Sequence, residues 1–151
     1  MKTMKTLPFL PLALAGLLLS GCGTFERDWK KSLAEYQSGT VAAPAGPWTG
    51  SWTTATNGHT GDLRAIVTPA VGEPGKYDFR YHATWGKLFS GTYLVRFPVT
   101  SRGNRYLANG EKKLGLFGTF GHKASISKNS FHATYSNDSG DLGNFEMKRP
   151  E

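Results

Sequence analysis

From residue 46 onward, apolar and polar residues alternate with a period of two. The clearest stretch sets Tyr77, Phe79, Tyr81, Ala83 and Trp85 against Asp78, Arg80, His82 and Thr84. Successive side chains of an extended chain point to opposite faces, so this alternation predicts a β-strand with one buried and one wet face. The next segment repeats it with Phe89, Gly91, Tyr93, Val95, Phe97 and Val99 on one side, and Phe131, Ala133 and Tyr135 repeat it again. Turn formers separate the runs at Asn57-Gly58, Gly72-Glu73-Pro74-Gly75, Gly86-Lys87, Arg102-Gly103-Asn104, Asn109-Gly110, Lys128-Asn129 and Ser139-Gly140. Seven turns predict eight strands, at about 48–56, 61–71, 76–85, 88–100, 105–108, 111–127, 130–136 and 141–149. The sixth segment carries Gly115, Gly118 and Gly121, which permit either a sharp bend or a split that would raise the count to nine. Short strands joined by hairpins predict an all-β, antiparallel up-and-down meander closing into a barrel, with a two-sheet sandwich as the other solution.

Ahead of the strands the period changes. Residues 24–38 read as a short amphipathic helix, with Thr24 as its cap, Glu26 and Asp28 in its first turn, and Trp29, Leu33 and Tyr36 on one face. That face packs on the following domain or lies on a membrane surface, and packing is the favoured reading. Glycines and prolines among the alanines of 39–47 then mark a linker.

The N-terminus carries Lys2, Lys5, an apolar run from Leu7 to Leu19, and then Ser20-Gly21-Cys22. The run is well short of the ~20 residues a membrane-spanning helix needs, its flank is basic and small residues precede the cysteine, so it reads as a cleaved export segment. Leu19-Ser20-Gly21-Cys22 resembles the lipobox of bacterial lipoproteins. The resemblance implies acylation of the Cys22 sulfur, cleavage before it, and acylation of the new amine. The chain then divides into a 1–21 signal peptide, a lipidated N-terminus with helix and linker at 22–45, and a barrel domain at 46–149. Two or three acyl chains give stable attachment where one does not. Gly23, standing where an aspartate would signal inner-membrane retention, implies a periplasm-facing outer-membrane location.

Composition adds constraints. The 151 residues carry a formal charge of +7, which falls to +5 without Lys2 and Lys5, and the remaining cations are dispersed. Lipid headgroups or envelope glycans are therefore favoured partners, and nucleic acid is not expected outside the cytoplasm. Cys22 is the only cysteine, so no disulfide can form within the chain and the fold must stand on packing.

Gly46-Pro47-Trp48, echoed by Gly50-Ser51-Trp52, resembles the Gly-x-Trp of the first strand in lipocalins and related calycin barrels. That resemblance implies a calycin-like barrel in which a tryptophan packs against a basic residue from the barrel's end. Arg149 would take that part beneath Trp48 or Trp52 through a cation-π contact. The domain is shorter than a typical lipocalin, and no closing helix follows its strands. The Trp48-Thr49-Gly50-Ser51-Trp52 start followed by Asn57-Gly58-His59 is also similar to small bacterial lipoproteins without an established activity.

Tyr81-His82-Ala83-Thr84-Trp85 and Phe131-His132-Ala133-Thr134-Tyr135 share a ring, His-Ala-Thr, ring pattern, from duplication or from equal inside and outside demands. Either origin sets His82 and His132 on the outer face as surface residues. The four histidines, His59, His82, His122 and His132, show no metal-ligand spacing. Asn137, Ser139 and Asp141 alternate like calcium ligands, but Lys148 stands where a bidentate acid belongs, and a hairpin turn explains them. There is no Gly-x-Ser-x-Gly elbow, and His59 with Asp62 is the one local acid-base pairing, in a tight turn. The chain therefore reads as a non-enzyme with no cofactor and no metal.

What remains is an interior rich in rings. Trp52, Tyr77, Phe79, Tyr81, Tyr93, Phe131, Tyr135 and Phe145 are the candidate ligand-binding residues, with Leu63, Val67, Phe89, Phe97, Leu116, Phe120 and Met147 beside them. Tyrosine hydroxyls turned inward need partners, which a polar-headed ligand or water can supply. The leading reading is a lipid-anchored periplasmic barrel that binds a small apolar or amphipathic ligand. The alternative is a filled barrel acting as an envelope interaction module, which offers Arg64, Arg80, Lys87, Arg96, Lys112 and Lys123 to an anionic partner.

Overall fold

The computed structural model describes the backbone of residues 12–113 and 118–151, with side chains from residue 24 onward. The side chain of Cys22, most of the signal segment, and Leu116 lie outside the described residues. Helix α1 (Leu12–Gln37) is followed by β1 (Gly46–Thr54), β2 (Thr60–Pro69), β3 (Lys76–Trp85), β4 (Phe89–Arg102), β5 (Arg105–Lys113), β6 (Thr119–Ile126), β7 (Ser130–Asn137) and β8 (Leu142–Lys148). Each strand pairs antiparallel with the next, and β8 returns to β1 to close an eight-stranded up-and-down barrel. Closure gives every strand a neighbour on both sides, although β4 and β5 pair only between Val99–Arg102 and Arg105–Ala108.

One turn signal is overruled. Asn109 and Gly110 pair with Lys123 and His122 inside the β5–β6 ladder, so β5 runs on to Lys113. Asn-Gly reverses a chain where positive φ is required, but here Gly110 is needed because the Phe97 ring lies over it and a Cβ would overlap that ring. The chain reverses between Lys113 and Thr119, and Gly118 there has a φ of 75°. The long sixth segment thus splits, its first residues joining β5, and the count stays at eight.

The strand ends define two ends of the barrel. The 70–75, 103–104 and 127–129 connections lie at the closed end, with the segment 38–45. The 55–59, 86–88 and 138–141 connections lie at the open end, with the end of β5 at Lys113 and the start of β6 at Thr119. Between them Trp48, Leu63, Val67, Phe79, Tyr81, Val95, Phe97, Ile126, Phe131, Phe145 and Met147 form one buried cluster. Phe131 meets Trp48 edge-on at 5.6 Å and Phe79 at 6.2 Å, geometries that aromatic pairs prefer.

The closed end is sealed by one side chain. The Arg149 guanidinium sits 3.7 Å from the centre of the Trp48 ring and 4.9 Å from that of Tyr36 on α1. Its Nη1 donates to the Pro47 carbonyl at 3.0 Å and its Nη2 to the Ala45 carbonyl at 2.8 Å. Trp48 Nε1 in turn donates to the Pro44 carbonyl at 3.0 Å. Burial draws the Arg149 pKa down to about 10, which still leaves it charged at neutral pH.

Helix α1 packs on the outside of the barrel, as favoured, with Trp29 and Tyr36 of the predicted face against it and Phe25 added. Phe25 and Trp29 are buried with Ile66 of β2, whereas Leu33 is half-buried. Thr24 is not a cap, since the helix begins at Leu12, and its hydroxyl accepts from Arg80 at 3.2 Å. Arg64 pairs with Glu26, and Arg80 pairs with Asp28 at 2.6 Å. The Arg64 hydrogen bond holds the Glu26 carboxyl below its usual range, and Arg80 does the same to Asp28. Among the described residues no helix is long and apolar enough to cross a membrane.

Arg149→Ala removes three bonded donors, to the Pro47, Ala45 and Lys128 carbonyls, and a desolvated cation-π contact, so a loss of about 3 kcal/mol is expected in urea unfolding of the chain with α1 present. The exposed Arg105, whose Nη1 reaches only Ser125 at 3.0 Å, serves as control, and Arg105→Ala should leave the midpoint in place.

Candidate functional site

Six side chains from six strands meet at the open end. Trp52 (β1), Ala83 (β3), Tyr93 (β4), Phe120 (β6), Tyr135 (β7) and Phe145 (β8) line an almost wholly apolar pocket of about 180 Å³. The alternation predicted for each strand is what turns these positions inward. Trp52 is held by its Nε1, which donates to the Thr84 carbonyl at 2.8 Å. The Tyr135 ring lies directly over Gly143 of the neighbouring strand, where a Cβ would collide with it. Phe120 stacks on Tyr135 at 5.7 Å and meets Tyr93 edge-on at 6.0 Å, while Tyr135 and Phe145 lie 5.2 Å apart.

Beneath the pocket the barrel is filled. Tyr81 stacks on Tyr93 at 5.1 Å and lies against Phe145 at 5.2 Å, and its hydroxyl shares a 2.8 Å hydrogen bond with His122 Nε2. His122 is buried, stacks on Phe97 at 5.1 Å, and its Nδ1 is the one buried side-chain polar atom among the described residues without a hydrogen-bond partner. Desolvation draws the His122 pKa down to about 4 and pushes those of Tyr81 and Tyr93 well up, so all three are neutral at physiological pH. Burial also raises Tyr135, opposed by a hydrogen bond with the Thr54 side chain.

The structure therefore divides the eight candidate binding residues. Trp52, Tyr93, Tyr135 and Phe145 line the pocket, and Tyr81 lies below it. Phe79 and Phe131 belong to the filled core. Tyr77 lies at the opposite end, beside Pro69, Val99 and Tyr106. Ala83 and His122 join the interior without being marked by the ring pattern of the sequence. Parity could have found His122, because Phe120, His122, Ala124 and Ile126 alternate with Gly121, Lys123 and Ser125.

His82 departs from the surface role expected of it. It does face outward, but Phe25 of α1 stacks on it at 4.8 Å and buries it, while its Nδ1 bonds the Thr92 hydroxyl at 2.8 Å. His132, on the uncovered side of the barrel, is exposed. The six surface cations do not form one face. Arg64 and Arg80 are consumed by α1, and Arg96 is held by Asp78 at 2.6 Å and Glu73 at 2.7 Å. Larger depressions, of about 680 and 530 Å³, lie on the outer face of β5–β8 among Asn109, Lys123, Thr134 and Asn144. Their lining mixes polar and apolar groups, and they lie on the outer face and not in the interior. Among the described residues, no cluster of three histidine, cysteine or acidic side chains could hold a metal.

No protein-family model matches the chain, and neither does any curated protein or solved structure.

The buried histidine sets a pH dependence. Its pKa falls from 6.5 to about 4 on folding, so between those values the unfolded chain binds the extra proton. The stabilisation is complete above pH 6.5 and is lost as pH falls towards 4, on the order of 3 kcal/mol in all. His82, also lowered by burial, adds to the same slope. Thermal unfolding across this window should show a shallower pH dependence for His122→Leu than for the unsubstituted chain.

Proposed function

We propose that this chain is a lipid-anchored, periplasm-facing barrel that holds one small apolar group in its open end. The observation that carries this reading is the pocket bounded by Trp52, Ala83, Tyr93, Phe120, Tyr135 and Phe145 above a core that is otherwise filled. Its volume decides the class of ligand. About 180 Å³ is slightly above the ~150 Å³ that admits benzene. It falls well below the ~300–1,000 Å³ typical of sites that enclose a drug-sized ligand. A single ring or the end of an acyl chain fits, and the polar remainder of an amphipathic molecule stays outside. The pocket lining offers two tyrosine hydroxyls and no acid, imidazole or thiol, so the reading is binding and not catalysis. Attachment through Cys22 rests on the lipobox resemblance and on the outer-membrane sorting rule applied to Gly23.

The second reading, a filled interaction module, draws support from the complete burial of Phe79, Tyr81 and Phe131. Its expected basic face is weakened by the ion pairs that consume Arg64, Arg80 and Arg96. Native mass spectrometry of residues 24–151, purified without detergent, separates the two readings. A reproducible extra mass that vanishes on denaturation supports the binder. Ala83→Leu, which fills the pocket from β3, should abolish that mass at a cost of about 1–3 kcal/mol of stability. A bare mass in every preparation favours the module.

A further inference from the structure

Beyond the pocket, apolar side chains continue outward. Trp85 ends β3 and Phe89 begins β4, opposite each other in register, and Leu88 stands at the tip between them. They are 44%, 64% and 89% exposed respectively. By the parity of their strands, Trp85 and Phe89 fall on the same face as Ala83, Tyr81 and Tyr93, the face that lines the barrel. The Trp85 ring leans over Gly91 on that face. The β3–β4 hairpin thus carries an unbroken apolar strip from the pocket wall to its tip. Leu142, 52% exposed, adds a further apolar residue at the same end, whereas the opposite end has only Val71 among the exposed large apolar residues described.

The helix leads to this hairpin. From Tyr36 beside Arg149 at the closed end, α1 crosses the outer face to Phe25 beside His82, and it also contacts β4. His82 is three residues before Trp85 on β3, a rise of roughly 10 Å. Cys22 precedes Phe25 by three residues of the same helix, a rise of about 4.5 Å in the direction of the open end. The acylation site and the exposed hairpin therefore approach one level of the barrel.

We propose that the β3–β4 hairpin tip, Trp85 to Phe89, is a membrane-docking element that seats the open end of the barrel on the lipid surface. This rests on the lipid-anchored reading given above and deepens it. Tryptophan and phenylalanine at a chain reversal suit the headgroup boundary, where an aromatic ring finds both apolar and wet surroundings. Lys87 at the tip can keep its ammonium among the headgroups while its stem lies along the acyl boundary. A second contact next to the acyl anchor fixes orientation, which flexible chains alone do not. In that orientation the pocket opens towards the bilayer, so its ligand enters from the lipid phase as an acyl end or a membrane-dissolved ring.

The test uses the full, natively processed protein reconstituted in phosphatidylcholine vesicles whose acyl chains carry bromine. Bromine quenches tryptophan emission at short range, and the chain has four tryptophans, of which Trp85 is on the hairpin. Docking predicts a Trp85-dependent share of the quenching, over any that an acyl end in the pocket causes at Trp52, and this share is lost in Trp85→Leu, which keeps an apolar side chain but removes the reporter. Leu88→Glu, at an exposed tip that the fold does not need, should also abolish it while leaving the far-ultraviolet circular dichroism unchanged. Protein that floats with the vesicles but shows no quenching dependent on Trp85 overturns the docking proposal and leaves the anchor standing. Protein that does not float with the vesicles overturns the anchored reading itself. Trp85-dependent quenching that survives Leu88→Glu also overturns the proposal, because the tip would then not be the inserted element.

Discussion

The barrel is held shut at its closed end by the stack of Arg149 on Trp48, and four separate pieces of chain depend on that contact. Arg149 follows the last strand, the Ala45–Trp48 stretch at the start of the first supplies the ring and two bonded carbonyls, Lys128 before β7 supplies a third carbonyl, and Tyr36 comes from the helix. A barrel of hairpins has one closing seam that no turn enforces, here between β1 and β8. Bonds on both sides of that seam compensate the entropy of joining strands that lie about a hundred residues apart in sequence, for which local turns contribute nothing. The charge is buried, and burial alone would disfavour it. Its bonded carbonyls and the ring face make it tolerable, as they must for any buried charge.

The filling of the interior follows from the width of eight strands, which leaves room for side chains or for one small ligand, but not for both at full length. Large rings occupy the closed end and the middle, where Phe79, Tyr81, Phe97 and Phe131 meet. Towards the open end Ala83 stands among the rings of Trp52, Tyr93 and Tyr135, and the pocket lies there. Glycine gives the rings access to neighbouring backbones, as with Tyr135 over Gly143. The pairing of His122 with Tyr81 supplies a partner for a hydroxyl that would otherwise be stranded under the pocket, so the floor of the site is polar in composition but closed to solvent.

The helix gives the outer surface its asymmetry. On β1–β4 it covers Ile66 and His82 and ties down Arg64 and Arg80, while β5–β8 remain open to solvent. Repeated motifs therefore have different fates. His82 and His132 occupy equivalent places in two similar segments, yet one is buried under Phe25 and the other is exposed. The dispersed cations likewise resolve into some that hold the helix, some in surface ion pairs and some free to meet solvent, with no single basic face.

By itself the sequence determined the class of the elements and narrowed the count to eight or nine strands, since a period of two with recurrent turn formers favours hairpin-joined strands with one buried face, while the choice of barrel over sandwich came from the tertiary structure. It also marked Trp48 and most of the interior rings, because inward parity is a property of each strand alone, while Arg149 was pointed to only by the Gly-x-Trp resemblance. It left open which ring lines a pocket and which is packed solid, since that depends on the neighbour across the strand: Tyr77 and Tyr135 share a pattern but lie at opposite ends. Asn109-Gly110 shows the same limit. Locally it has the chemistry of a turn, and only the Phe97 ring arriving from another strand explains why a glycine stands there in a straight ladder. Tertiary structure alone decided these points, together with the burial of His82 and the approach of α1 to the β3–β4 hairpin. Each depends on contacts between residues distant in the chain, which a local pattern of apolar and polar positions does not encode.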